Sequence, residues 1–309
     1  MPIYKQDGIK LVPLREKKID VEKMVQGIVE ANLEGVFGIQ FVATEFALHS
    51  LRVDTLAFDE ETNAFVIIEY KRDRSFSVVD QGYAYLALLL NNKADFVLEY
   101  NEMTKRNLRK DDIDWSQSRV IFVAQSFTKY QQEAMGFQDL PIELWEVRKY
   151  DENLVLFNEI RASEKSESIN TVVKGKNADT VSTQIKQYTI DDHIKPDWTE
   201  AREIFEELTS QIHQIDQSFE AKAVRNHIGF RISQSNNVVF NVDPGKSRTR
   251  VGLLRTRPQD VNDPEKRVKY IDHSYENWNQ HVSVIDITSV SDVGYAVMLI
   301  KQVYRRFVE

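Results

Sequence analysis

Apolar positions along this chain follow two periods, one near 3.6 residues and one near 2. Between residues 19 and 35 they fall at Ile19, Met24, Val25, Ile28, Val29 and Leu33, the i/i+4 spacing of an amphipathic helix. Asp20 is placed to cap that helix and Gly35 to stop it. Four runs that alternate or are continuously apolar predict strands over 40–46, 51–58, 64–71 and 119–124. A helix is expected over 78–90, between the third strand and the fourth, and a hairpin pairing 142–149 with 154–158 closes the first half. Helix, strands, helix, strand is the order of an α/β unit.

Residues 161–184, RASEKSESINTVVKGKNADTVSTQ, hold few large apolar groups and no period, so a polar linker is expected there. After it the pattern predicts a helix over 198–215, strands near 228–233, 238–242, 249–254 and 282–287, and a closing helix over 291–306. The expected organisation is therefore a first domain over 1–160, a linker, and a smaller α+β domain over 185–309. No internal repeat relates the halves.

The 309 residues include no cysteine, which excludes disulfides, thiolate nucleophiles and thiolate metal sites. No apolar run approaches the ~18 residues of a membrane span. The first residues, MPIYKQDGIKLVPL, lack a basic segment leading into an apolar one, so no secretory leader is expected. A cytoplasmic location fits these features. The net charge of −8 is uneven: residues 1–160 carry 19 Lys/Arg against 27 Asp/Glu, whereas residues 161–309 balance at 21 each. An acidic first half argues against non-specific coating of DNA, which needs many Lys/Arg–phosphate contacts. Any nucleic-acid contact must be local or metal-assisted.

The segment RVDTLAFDEETNAFVIIEYKR, residues 52–72, carries the chemistry. Two strand-like runs flank a turn at DEETN. If Phe58 pairs with Phe65, the pairs keep a constant index sum, so Leu56 faces Ile67, Asp54 faces Glu69 and Arg52 faces Lys71. Residues two apart on one strand share a face, and Asp54, Glu69 and Lys71 then converge. Two carboxylates make a hard-oxygen site for Mg²⁺ or Mn²⁺, and an adjacent lysine can orient water or meet phosphate oxygens. Facing acidic and basic residues on a solvated hairpin have the same spacing. Here, however, Phe65 to Ile68 are apolar on both faces, as in a central strand, and charges at the end of a buried strand need a reason.

At these residues the chain resembles the PD-(D/E)XK nuclease superfamily, nearest to the branch containing NucS/EndoMS-type endonucleases, over residues 15–160. The resemblance lies in Arg52-Val53-Asp54, in Val66-Ile67-Ile68-Glu69-Tyr70-Lys71-Arg72, in Asn32-Leu33-Glu34 and in Gln81 with Tyr85. It implies a restriction-endonuclease-like mixed sheet flanked by helices. By the same resemblance Asp54 and Glu69 would bind Mg²⁺ or Mn²⁺ directly, with Glu34 as a third, outer ligand. Lys71 would position the attacking water, and Gln81 would contact the metal's hydration shell or the scissile phosphate. Glu45 is the alternative for the outer acidic role, ranked below Glu34. Tyr85 is read either as core packing or as a substrate contact.

Weaker nucleic-acid candidates are Arg72 and Arg74 beside the site and Lys129 after the 119–124 strand. In the second half, Lys246, Arg248 and Arg250 alternate, continued by Arg255 and Arg257, and so project to one face. Arg72 and Arg74 are read equally as offsetting Asp73 and Asp80, Lys129 is read first as a solvated lysine, and the alternating run is read nearly as well as a plain solvated strand face. The second half resembles a domain of unknown function sometimes labelled a transport protein, a label with no transmembrane support here. The six histidines have no zinc spacing, and no P-loop, GxSxG or GxGxxG occurs. The expected function is a metal-dependent DNA endonuclease of repair or defence, acting on DNA and possible as a homodimer. The alternative is an inactive nuclease fold kept for binding nucleic acid or a partner.

Overall fold

A computed structural model of the chain describes residues 2–17, 19, 22–48, 51–71, 77–134, 140–161, 185–232, 235–278 and 280–308. The chain divides into two units, one of residues 1–59 with 63–186, the other of residues 187–309 with 60–62. The expected linker lies almost wholly outside the described residues, as does the expected cap Asp20.

The first unit opens with a two-stranded hairpin, β1 (Tyr4–Asp7) and β2 (Lys10–Pro13), that turns through Gly8 at φ 59°. Its main sheet has seven strands: β3 (Glu16–Lys17), β4 (Gln40–Leu48), β5 (Leu51–Asp59), β6 (Ala64–Lys71), β7 (Arg119–Ala124), β8 (Ile142–Tyr150) and β9 (Val155–Ile160). They lie in the order β3-β8-β7-β6-β5-β4, with β9 also on β8. β6, β7 and β8 run parallel and the other pairings are antiparallel, so the sheet is mixed. β6 is buried along all but its last residue, as the two-faced apolarity of Phe65–Ile68 requires of a central strand. The hairpin register matches expectation at Phe58–Phe65 and Leu56–Ile67, but the ladder stops at Thr55–Ile68, so the expected pairs Asp54–Glu69 and Arg52–Lys71 do not form in it.

Helices cover both faces. On one, α1 (Glu22–Glu30) and α2 (Leu33–Phe37) set Val25, Val29, Leu33 and Phe37 against Ala57, Val66, Ile68 and Tyr70. On the other, α3 (Val78–Asn91) and α4 (Lys93–Thr104) set Leu86, Leu89, Phe96 and Tyr100 against Leu56, Phe58, Phe65 and Ile67. The single helix expected over 19–35 is two helices. Asn32 donates its side-chain N–H to the Ile28 carbonyl at 2.7 Å, competing for an acceptor of the helical ladder. The second piece ends at Gly38, which is left-handed at φ 68°, a conformation that suits glycine. A short α5 (Lys129–Ala134) follows β7.

The second unit has α6 (Ile190–His193), α7 (Thr199–Ile215), α8 (Ser274–Trp278) and α9 (Val293–Val308). Its antiparallel sheet comprises β10 (Phe219–Ala223), β11 (Ile228–Ile232), β12 (Ser235–Pro244), β13 (Thr249–Leu254), β14 (Lys269–Tyr270) and β15 (Val282–Ile287), in the order β10-β11-β12-β13-β15-β14. Ile204, Phe205, Leu208 and Ile212 of α7 and Val293, Ala296, Leu299, Ile300 and Val303 of α9 fill one core with Phe230, Phe240, Val251 and Ile285. This is the α+β arrangement the pattern predicted. Among the described residues, no helix is long and apolar enough to cross a membrane.

Candidate active site

β5 and β6 part company at one end of their hairpin. Their pairing runs from Asp59–Ala64 to Thr55–Ile68. Before Thr55, β5 stays paired with β4 through Val53–Phe46 and Arg52–Ala47. After Ile68, β6 stays paired with β7 through Glu69–Phe122, Tyr70–Val123 and Lys71–Ala124. The two strands thus form a fork, and Asp54 and Glu69 stand at its base. The Asp54 carboxylate bridges the opening, its Oδ2 accepting the Tyr70 backbone N–H at 3.0 Å.

Alternation along β6 sends Glu69 and Lys71 to the face covered by α3. Lys71 Nζ lies 2.8 Å from Glu69 Oε1, and Gln81 donates Nε2–H to the same oxygen at 3.3 Å. Gln81 sits in the first turn of α3, whose start is capped by Ser77 Oγ accepting from the Asp80 N–H. Gly82 lets this turn close on the sheet, because a Cβ there would collide with the Ile142 side chain. Gln81 also donates to the Tyr85 hydroxyl at 3.2 Å, so Tyr85 props Gln81 from one turn later. Asp54, Glu69 and Lys71, which the residue spacing sends to one face, are brought together here with Gln81.

The electrostatics of the cluster are uneven. Burial, and then the charge of Glu69, push the Asp54 carboxyl from 3.8 up to about 6, although the Tyr70 N–H and Lys71 pull it back. Burial and the nearby Glu69 raise the Tyr85 phenol, which stays protonated. Glu69 is only 6% exposed. Its Oε1 has the two donors above, while its Oε2 is buried with no hydrogen-bond partner. A buried carboxylate oxygen without a donor is costly. Together with an aspartate whose ionisation is opposed by its neighbour, it fits a divalent cation, which keeps one or two carboxylates and fills its shell from water and phosphate. Among the described residues no group of three or more His, Asp or Glu could hold a metal.

The outer acidic residue is where expectation and structure part. Glu34 is exposed on α2, and α2 packs on the sheet face opposite the Glu69 and Lys71 side chains. The structure does not bring Glu34 to the pair, because α1 and α2 both pack on the sheet face opposite Glu69 and Lys71. Glu45 stands closer. Thr44 pairs with Thr55 and Phe46 with Val53, which puts Glu45 at the step opposite Asp54, and its charge adds to the rise of Asp54. Its backbone is left-handed at φ 51°, a costly state for a side chain, and its carboxylate holds Arg52 at 2.9 Å. Of the two acids weighed for the outer role, Glu45 is the one placed beside Asp54.

The remaining cations scatter. Arg72 and Arg74 lie outside the described residues. Lys129 is exposed at the start of α5, beyond the end of β7 that adjoins Lys71. Arg248 and Arg250 do share a face, but both turn onto Asp286, at 3.0 and 2.8 Å. Arg255 has φ 50° and lies 5.3 Å over the Phe307 ring. Sequence reasoning missed Gln26 and Glu30, which reach the fork from behind. Their signal was a polar i/i+4 pair beside Val25 and Val29 on the buried side of α1.

No family model matches the chain. Among solved structures, EndoMS in complex with dsDNA aligns with 42% of this chain and 47% of its own at 19% identity and a TM-score of 0.25. EndoMS in apo form aligns with 42% and 48% at 19% identity and a TM-score of 0.28. A repair endonuclease from Pyrococcus abyssi aligns with 43% and 50% at 18% identity and a TM-score of 0.24. The chain spans about half the length of these proteins, and alignments this loose leave the functional argument to its own side chains. An uncharacterized protein of Haemophilus influenzae is 36% identical over 313 residues, covering 98% of this chain and 99% of that protein. At that identity and coverage, this chain belongs to the family of the Haemophilus influenzae protein.

Proposed function

We propose that this chain is a divalent-metal-dependent nuclease that hydrolyses phosphodiester bonds of DNA, in repair or in defence against foreign DNA. The observation that carries the reading is the fork: Asp54 and Glu69 at its base, Lys71 and Gln81 on Glu69, and one buried Glu69 oxygen left without a donor.

Asp54 and Glu69 would hold Mg²⁺ or Mn²⁺, with Glu45 as the adjacent acid. When bound, the ion supplies Lewis acidity to a phosphoryl oxygen and acidifies water near neutral pH. Lys71, paired with Glu69 at 2.8 Å, would orient water or meet a phosphate oxygen through its N–H donors. Gln81 steadies the Glu69 carboxylate and is itself held by Tyr85. Lys71, with an ion held by Asp54 and Glu69, would supply local positive charge for the phosphate, which reconciles a nuclease with the acidic first half of the chain.

The test is cleavage of single-stranded, duplex, mismatched and branched DNA by purified protein with Mg²⁺ or Mn²⁺. Cutting is expected on at least one form, and Asp54→Ala and Lys71→Ala should each abolish it while the protein stays folded. Activity that survives both substitutions would overturn the reading. A second reading, a nuclease fold kept for binding, draws on the Lys71–Glu69 ion pair, which already satisfies one Glu69 oxygen. It predicts salt-sensitive DNA binding and no cleavage with any metal.

A further inference from the structure

Behind the fork, on the face covered by α1, the same two strands carry a second polar cluster. Thr55 and Tyr70, each one residue on from Asp54 and Glu69, are 0% and 1% exposed. Thr55 Oγ1 donates to Glu30 Oε1 at 2.6 Å. That uses its one hydroxyl proton, so the Tyr70 hydroxyl, 3.1 Å away, donates to Thr55. Burial raises the Tyr70 phenol and the Glu30 charge adds to the effect, which keeps it a donor. Gln26, also buried, points Nε2 at Glu30 Oε1 (3.0 Å), Thr44 Oγ1 (3.0 Å) and the Asp54 main-chain carbonyl (3.1 Å).

These contacts lie where the backbone ladder between β5 and β6 has stopped. From Thr55 towards the site, nothing in the β5–β6 ladder fixes one prong of the fork against the other. The chain of donors does so instead: Tyr70 on β6 to Thr55 on β5, Thr55 to Glu30, and Gln26 from Glu30's own helix back to the Asp54 carbonyl. Asp54 is therefore gripped at both ends, its carbonyl by Gln26 and its carboxylate by the Tyr70 N–H. We infer that Gln26 and Glu30 are positioning residues of the candidate site: from the far face of the sheet they clamp the prongs of the fork and set where the Asp54 carboxylate stands relative to Glu69. The inference rests on the nuclease reading for its purpose, though the clamp itself is a property of the metal-free chain.

Glu30 acts here as a hydrogen-bond acceptor, not through its charge. A glutamine oxygen has two lone pairs and can accept from both Thr55 and Gln26, so Glu30→Gln should restore what Glu30→Ala loses. Gln26→Met keeps the volume of the side chain but removes its donors, and so provides a second, mildly disruptive variant. Two measurements are needed. In the metal-free protein, hydrogen exchange of the Tyr70 amide should quicken roughly tenfold in Glu30→Ala and Gln26→Met, while Val123 on β7 stays as slow as before. In a Mn²⁺ titration, the same variants should weaken binding about tenfold, within the range seen when groups supporting metal ligands are removed. On DNA they should lower kcat and leave KM unchanged.

Unaltered Tyr70 exchange and Mn²⁺ affinity in both variants would overturn the clamp. So would a Glu30→Gln protein as impaired as Glu30→Ala, because Glu30 would then act by charge. If the unsubstituted protein binds no Mn²⁺, or Asp54→Asn binds it equally well, the metal reading falls, and the exchange measurement still decides whether the clamp exists.

Discussion

Asp54 and Asp286 each stand on a strand of an antiparallel pair beside a cation, and their surroundings drive them in opposite directions. Asp286 on β15 faces Arg250 across the ladder on β13. The Arg250 guanidinium meets both its oxygens, at 2.8 and 3.3 Å, and Arg248 adds a contact at 3.0 Å. Hydrogen bonding to Arg250 holds its carboxyl below the ordinary range. Asp54 has Lys71 nearby, but Lys71 is spent on Glu69, and burial beside a second carboxylate carries Asp54 up to about 6. The lesson concerns supply. Among the described residues, two arginines for one aspartate make a satisfied structural knot, whereas one lysine for two carboxylates leaves the pair short of positive charge. Such a shortage persists in a fold where something else supplies the charge.

The contrast between the two aspartates is tested most severely at Glu69. Glu69→Ala removes the oxygen that lacks a donor and halves the carboxylate supply. Mn²⁺ affinity by calorimetry should then fall roughly 100-fold, and an unchanged value would mean that the shortage has no metal-binding purpose.

The next largest effect is thermal and depends on pH with opposite signs at the two aspartates. Asp54 titrates above its unfolded value, so its contribution to stability is in place below about pH 4 and is lost as pH rises through about 6. Asp54→Asn should raise the melting temperature of the metal-free protein at pH 8 by roughly 2–4 °C, allowing for screening of a half-buried group, with little change at pH 4. Asp286 titrates below its unfolded value, so its contribution is present above that value and is lost as pH falls through the depressed one. Asp286→Asn should lower the melting temperature by about 2 °C at neutral pH, the difference fading in acid. Scans in which both variants shift the same way at pH 8 would erase the contrast.

The smallest expected effect is on DNA affinity. Because Arg248 and Arg250 are committed to Asp286, replacing both by alanine should change binding by less than about twofold and leave its salt dependence unaltered. An arginine that truly met a phosphate would, on removal, flatten the slope by about 1. A flatter slope would restore this strand face to the DNA interface.

Much of the fold is legible in the sequence because it rests on local periods. β6 and β7 fall where expected, and the Phe58–Phe65 register holds, since side chains on a strand alternate and a one-residue slip would turn the whole core face outward. α4 escapes a reading by pattern because only Phe96 and Tyr100 of its residues are buried, too few to show a helical stripe. The β1–β2 hairpin escapes because every residue of both strands is exposed. Residues 19–35 read as one continuous helix because periodicity does not register an asparagine side chain competing for a helical carbonyl.

Sequence alone determined which residues share a face: Asp54 with Glu69 and Lys71, and by the same alternation the burial of Phe65 to Ile68 on a central strand. It did so because the two-residue period is a property of the backbone and needs no knowledge of neighbours. Tertiary structure decided that Glu45 stands at the step opposite Asp54, and that the strands diverge at this point. It also decided that Gln26 and Glu30 grip the fork from behind. Those outcomes depend on contacts between residues 15 to 28 apart in the chain, whose meeting is set by how a helix layer packs on a sheet and not by any local pattern.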